Sequence, residues 1–97
     1  MVRHVVMFRW KDGTTPQQVA AVAEGLGRMP GLIPELVSYH LGTDLGLAPT
    51  NFDFAVVAEL QSADGFLAYR DHPEHQAVIR DVILPLVAER VAVQFEC

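Results

Sequence analysis

The hydrophobic residues of this chain follow two kinds of spacing. Residues 3–10, RHVVMFRW, alternate with period two, so that His4, Val6, Phe8 and Trp10 share one side. A short alternating run that is rich in β-branched and aromatic residues is typical of a strand. The same reasoning predicts further strands over residues 36–42, 52–60 and 90–96.

Helical spacing predicts the connections between these strands. Thr15, Pro16 and Gln18 begin the first helix, because threonine caps a helix, proline fits its first position and glutamine completes a capping box. An apolar stripe at helical spacing follows this start. Ser62 can cap a second helix over residues 63–71.

A further helical stripe begins shortly after Pro73. Its members share the spacing of one helix face, and they are His75, Val78, Ile79, Val82, Ile83 and Leu86. Pro85 is expected to end or kink this helix, because proline has no N–H and its ring clashes with the preceding turn.

The order strand, helix, strand, strand, helix, strand predicts an α+β, ferredoxin-like βαββαβ fold with a four-stranded antiparallel sheet. The helices can cover one face of this sheet, yet the first and third strands carry apolar residues on both faces. We therefore expect a second copy of the chain to cover the other face. Such a homodimer would form a dimeric α/β barrel from two sheets.

The composition narrows the classes of protein that this chain can belong to. A length of 97 residues, 51% of them hydrophobic and 20% charged, predicts one globular domain over residues 1–97. A net charge of -5 with scattered basic residues argues against nucleic-acid binding. No apolar run has membrane-spanning length, and the chain opens directly into a strand, so we expect neither a membrane partner nor a signal peptide. The single cysteine, Cys97, forms no internal disulfide and fits the cytoplasm.

The stretch HPEH at residues 72–75 is the main candidate for chemistry, and His75 has two interpretations. It can satisfy backbone groups at a helix start, or it can act as a general base. If Pro73 is the first helical residue, the helix dipole disfavours an imidazolium at His75. A neutral imidazole is what proton abstraction beside a carbonyl requires.

Tyr69 is a candidate partner for His75. It is either core filler with its hydroxyl at the edge, or a hydrogen-bond donor to an oxygen that becomes an enolate. The two residues are not on one face of a continuous helix. They meet only if the chain bends at His72-Pro73, which the proline favours.

His4 also has two interpretations, which depend on the side of the sheet that it occupies. If its strand face is the barrel interior, His4 lines a pocket and is a catalytic candidate. If that face lies toward the helices, His4 is a core histidine. In the first case Phe8 and Trp10 supply an apolar wall for a flat ligand.

His72 is interpreted mainly as a structural residue, because its ring can bond the free amides at the start of a helix. A metal site is an alternative use of His72 and His75. Other side chains could complete a ligand set: Asp71, Glu74 and His40. No second spaced pair of ligands exists, and we predict no metal.

These residues resemble the stress-responsive A/B barrel, or dimeric α/β barrel, family over nearly the whole chain. The resemblance is carried by His4-Val5-Val6-Met7-Phe8, Leu41-Gly42 and Tyr69-Arg70-Asp71-His72-Pro73-Glu74-His75. The pattern Tyr-x-x-His-Pro-x-His is its most specific part. The family includes stress-induced plant proteins and polyketide cyclases such as olivetolic acid cyclase, and related barrels include cofactor-free monooxygenases.

The resemblance to the cyclase implies roles for matching residues. Its catalytic histidine and tyrosine match His75 and Tyr69, and a pocket histidine matches His4. Another pocket histidine of the cyclase falls at Phe54 here, a departure that argues against the same substrate, and Phe54 is a candidate substrate-binding residue.

The resemblance implies a cofactor-independent cyclase or lyase acting on a β-keto or phenolic substrate. The alternatives are a non-catalytic, stress-related or small-ligand-binding homodimer, and a cofactor-free monooxygenase.

Overall fold

The computed structural model describes residues 1–97, which form four strands, four helices and one π-helical turn. In chain order they are β1 Val2–Trp10, α1 Pro16–Gly27, α2 Met29–Leu32, β2 Leu36–Thr43, β3 Phe54–Leu60, α3 Ala63–Asp71, α4 Pro73–Val78, the π-helical turn Ile79–Ile83 and β4 Val87–Glu96.

The strands form one sheet in the order β2-β3-β1-β4, and every neighbouring pair is antiparallel. This arrangement confirms the predicted α+β, ferredoxin-like fold. The first and last strands lie side by side, and the helices pack on one face. The buried residues of β1 and β3 alternate along each strand and point toward that helical layer: His4, Val6, Phe8, Phe54, Val56, Ala58 and Leu60.

The capping residues confirm the predicted helix starts. At α1, the Thr15 hydroxyl accepts from the Gln18 backbone N–H at 3.2 Å, and the Gln18 side chain accepts from the Thr15 N–H at 2.8 Å. At α3, the Ser62 hydroxyl accepts from the Gly65 N–H at 3.1 Å. Each contact satisfies an N–H that the first helical turn leaves without an internal acceptor.

Two strands begin at residues other than those predicted, because a side-chain hydrogen bond and a register shift change the strand pairing at one end of the sheet. β3 begins at Phe54 rather than at residue 52, and the Asp53 carboxylate accepts the Trp10 backbone N–H at 2.8 Å. β4 begins at Val87 rather than at residue 90. The register shifts between Arg9 and Trp10, which lets Trp10 pair with Val87.

The helix after Pro73 also differs from the prediction, because its second half is not α-helical. α4 ends at Val78, and the Leu84 N–H donates to the Ile79 carbonyl at 2.8 Å, one residue further back than in an α-helix. Pro85 cannot continue the regular ladder, because it lacks the N–H that the Asp81 carbonyl would accept. The predicted end of the helix near Pro85 is confirmed.

The sheet face opposite the helices, called the outer face below, is open and apolar. Val5 is half-buried there, and Met7, Val91, Val93 and Phe95 are exposed. These side chains form a continuous patch, because Val5 pairs with Val93 and Met7 with Val91 across β1 and β4. Large contiguous apolar patches on a folded chain mark interaction sites. The predicted apolar character of both sheet faces is thus confirmed.

None of the helices combines the length and the hydropathy needed to cross a membrane.

The glycines of α1 offer a matched test of how closely the helices pack. A Cβ added at Gly25 would lie 3.0 Å from Cγ1 of Val78 in α4, whereas one added at Gly27 would touch nothing. We expect Gly27→Ala to raise the free energy of unfolding by up to about 1 kcal/mol, since alanine favours the helix. The Gly25→Ala variant should have a free energy of unfolding lower than that of Gly27→Ala by roughly 1 kcal/mol or more, because the added methyl group would crowd Val78. Urea unfolding measures both, and equal stabilities would contradict the close approach.

Candidate active site

A cavity of about 80 Å³ lies between the helical layer and the sheet. Apolar side chains form most of its wall: Val6, Phe8, Leu26, Val56, Ile79, Ile83, Leu84 and Val87. The remaining lining residues are His4, Tyr69, His75 and Arg90. All three of the predicted catalytic residues therefore line one cavity.

The chain bends between α3 and α4, which brings Tyr69 and His75 together. His72 is extended, with φ -60° and ψ 133°, and its Nδ1 accepts the Glu74 backbone N–H at 3.2 Å. Pro73 then begins α4. The result is a distance of 4.1 Å between the ring centroids of Tyr69 and His75.

A backbone carbonyl group of α3 orients the ring of His75. Its Nδ1 lies 3.1 Å from the carbonyl oxygen of Arg70. A carbonyl can only accept, so Nδ1 carries the hydrogen and the neutral ring keeps its free lone pair on Nε2. Burial lowers the pKa of His75, the bond to Arg70 opposes this, and the charges of His72 and Arg90 lower it further. The ring is therefore a neutral base at pH 7.

Tyr69 is almost fully buried and hydrogen-bonds to Tyr39 of β2. The two hydroxyl oxygens lie 2.9 Å apart. Burial raises the pKa of both phenols above the ordinary value. Both hydroxyls consequently keep their hydrogens, and Tyr39 can donate to Tyr69 while Tyr69 donates to a molecule in the cavity.

His4 lies on the helix side of β1, and it also lines the cavity. The two interpretations of His4 were therefore not exclusive. The Gln94 side-chain nitrogen donates to His4 Nδ1 at 2.8 Å, which leaves the hydrogen of the neutral ring on Nε2. Burial, followed by the charges of Arg90 and His75, lowers the pKa of His4 to about 4.

The cavity is on the helix side of the sheet, where the sequence predicted a core histidine rather than a pocket. It lies within the helix–sheet layer of one chain, and not between two sheets in a barrel. The reason is that His4 points toward the helices, where α3 and α4 also place Tyr69 and His75.

The predicted aromatic wall is only partly at the cavity. Phe8 lines it, whereas Trp10 and Phe54 do not. Their rings pack behind Phe8, with centroids 5.4 Å from Phe8 for Trp10 and 6.4 Å for Phe54. They can support the wall but are not among the residues that line this cavity.

The geometry around His72 does not form a metal site. His72 points its Nδ1 at the backbone of Glu74, while His75 points its Nδ1 at the carbonyl of Arg70. No group of three or more His, Cys, Asp or Glu side chains lies close enough to share an ion.

Three polar residues of the site were not predicted: Tyr39, Arg90 and Gln94. A signal for two of them exists in the last strand. In RVAVQFE, Arg90 and Gln94 alternate with Val91, Val93 and Phe95, which indicates one polar and one apolar face. Tyr39 had no comparable signal, because its contact with Tyr69 joins residues 30 positions apart.

The family model for the stress responsive A/B barrel domain matches residues 2–97 of the chain. The chain belongs to this family. One solved relative of this A/B barrel domain is a dimeric ferredoxin-like protein of unknown function from Thermobifida fusca. It is 53% identical, with a TM-score of 0.92 over 99% of this chain and 90% of its own.

Two plant proteins also resemble this A/B barrel domain. The stress-response A/B barrel domain-containing protein HS1 of Arabidopsis thaliana is 25% identical over 76% of this chain and 70% of its own length. A hydroxynitrile lyase from Passiflora edulis shares the fold, with a TM-score of 0.84 and 23% identity over 97% of this chain and 90% of its own.

The lowered pKa of His4 makes stability depend on pH in a defined direction. Between about pH 6.5 and about pH 4 the unfolded chain protonates His4 and the folded chain does not, so acid favours unfolding. We expect the free energy of unfolding to fall as the pH drops through this window. His4→Asn, which keeps an acceptor for Gln94, should reduce this loss. Urea unfolding of the wild type and of His4→Asn at several pH values measures this difference. Identical pH profiles of the two proteins would contradict the burial of a neutral His4.

Proposed function

We propose that this A/B barrel domain is a small cofactor-independent enzyme of the cyclase or lyase type, which removes a proton from a carbon beside a carbonyl. The observation that carries the proposal is the state of His75. It is a buried, neutral imidazole with a free Nε2, and its ring lies 4.1 Å from that of Tyr69 in the cavity. A base and a donor placed side by side are what enolate formation requires.

The proposed reaction uses three groups of the cavity. His75 Nε2 takes the proton from the acidic carbon, and the electron pair of the C–H bond moves toward the carbonyl oxygen. Tyr69 donates to this developing enolate oxygen, while Tyr39 donates to Tyr69. His4 donates through Nε2–H and orients the substrate. The enolate carbon can then attack a second carbonyl, as in an aldol cyclisation.

The cavity volume supports a compact substrate. Pockets for drug-sized ligands are roughly 300–1,000 Å³, far above the approximately 80 Å³ here. A short β-keto compound is therefore favoured over a long polyketide chain. The lyase class is compatible with the Passiflora hydroxynitrile lyase, although the likeness to that protein concerns the fold alone.

We also propose that the chain forms a homodimer through the outer face. The Thermobifida relative is described as dimeric and is 53% identical. The outer face exposes valine, methionine and phenylalanine side chains on β1 and β4. A second copy would bury this patch and produce the two-sheet barrel.

A binding function without turnover is the second candidate, and the stress-response designation of the Arabidopsis relative favours it. In that case the cavity holds a small molecule that His75 does not convert. Native mass spectrometry of the isolated protein tests this candidate, because a small molecule that the cavity holds without converting it should co-purify and add its mass to that of the protein. A cofactor-free monooxygenase would share the first step, because its substrate must also lose a proton.

The proton-transfer step can be measured without knowing the natural substrate. We expect the protein to accelerate deuterium uptake at the acidic carbon of short 1,3-dicarbonyl and β-keto thioester compounds. His75→Ala should remove this acceleration, and Tyr69→Phe should reduce it by roughly 100-fold, as is typical for one lost enolate donor. The rate should fall as acid protonates His75, at a pH below its ordinary pKa of about 6.5.

His40→Ala is the matched control for this experiment, because His40 lies outside the cavity. It should exchange at the wild-type rate. Undiminished exchange in His75→Ala would eliminate His75 as the base. Exchange at the buffer rate with every compound would favour the binding function.

The dimer has its own test on the outer face. Val93→Glu should yield monomers at micromolar concentration, because the interface would bury an unpaired carboxylate. Leu67→Glu is the control, since Leu67 is an exposed apolar residue on α3, away from that face. Light scattering should give a dimer mass for wild type and Leu67→Glu. A monomer mass for wild type would contradict the proposed assembly.

A further inference from the structure

Arg90 is the one formally charged side chain that lines the cavity. It lies on the edge strand β4, opposite Phe8 of β1, and it is exposed to solvent while it also lines the cavity. The four ion pairs of the chain use Arg3, Arg9, Arg70 and Arg80, so none of them includes Arg90.

The positive charge of Arg90 is not compensated inside the cavity. No aspartate or glutamate is among the lining residues, and His4 and His75 are neutral. A cation beside a low-dielectric wall attracts anions more strongly than a cation surrounded by water. The chain as a whole has a net charge of -5, yet the one formal charge that lines this cavity is positive.

We infer that Arg90 binds the carboxylate of the substrate, and that the site prefers small oxo acids to neutral carbonyl compounds of the same size. A guanidinium offers a planar pair of N–H donors that matches a carboxylate. The substrate would keep its acid end at the mouth and place its acidic carbon against His75. The reaction assigned to the oxo acid depends on the proposed function, whereas carboxylate binding at Arg90 does not.

Carboxylate binding would also affect the base. Arg90 is one of the charges that lower the pKa of His75. A bound anion would offset that charge and make His75 a stronger base when the substrate is present. Binding and proton abstraction would thus be coupled through one residue.

The binding test uses propionate and its neutral counterpart propionamide, followed by NMR titration of the folded protein. We expect propionate to bind at least about ten times more tightly than propionamide, and less tightly at high salt. Arg90→Gln should remove this preference. Arg28→Gln, which removes an exposed arginine that does not line the cavity, should retain it. Equal binding of propionate and propionamide by the wild type would overturn the inference, and so would equal effects of the two variants.

A second readout locates the anion. The chain has four histidines, so the ring signals can be followed individually during a pH titration. Saturating propionate should raise the pKa of His75 in the wild type, and this rise should be absent in Arg90→Gln. An unchanged His75 pKa in the presence of bound propionate would mean that the anion binds elsewhere, which would overturn the inference.

Deuterium uptake separates this inference from the proposed function. Acetoacetate should exchange at least ten times more slowly with Arg90→Gln than with wild type, whereas methyl acetoacetate should show no such loss of rate. Selective propionate binding without any catalysed exchange would support the Arg90 site and reject the enzyme. Catalysed exchange that is equally sensitive to Arg90→Gln for acid and ester would reject the Arg90 site and retain the enzyme.

Discussion

The hydrogen bond between His72 Nδ1 and the Glu74 backbone N–H is the contact on which the candidate site depends. The imidazole caps α4, a role that serine or aspartate side chains more often have. The cap also fixes the direction of the chain between α3 and α4. If α3 continued through this point, Tyr69 and His75 would point to different sides of one helix. With the cap and Pro73 in place, the rings meet at 4.1 Å. The functional pair is therefore a product of backbone geometry.

The cavity keeps its polar groups buried because each one has a fixed hydrogen-bond partner. Tyr69 is bound to Tyr39, His4 to Gln94 and His75 to a backbone carbonyl. Burial of polar groups without partners would cost free energy, and burial of charged ones would cost more. These groups therefore stay neutral, and the bonds also decide which ring nitrogen carries the hydrogen. The fold thus prepares a donor and a base without any charged side chain in its core.

The sequence predicted the sheet, its helices and most caps because these features depend on local spacing and local hydrogen bonds. It also singled out Tyr69, His75 and His4, since the bend at Pro73 and the alternation of β1 are local patterns. Arg90 and Tyr39 were missed because their importance arises from contacts across the sheet and between layers. The position of the cavity was left open for the same reason: alternation separates two faces but does not say which face the helices cover. The aromatic character of Trp10 likewise could not reveal that Phe8 lines the cavity and Trp10 does not.

The π-helical turn Ile79–Ile83 has a consequence for how such a cavity can arise. A π-helical turn contains one residue more than the α-helical turn that it replaces, and Ile79 and Ile83 both line the cavity. Loss of one residue would return this turn to α-helical hydrogen bonding and change the spacing of its side chains. Tyr69, His75 and His4 lie outside the turn and would keep their places. A single insertion or deletion there can therefore reshape the apolar wall of the cavity without changing its polar groups.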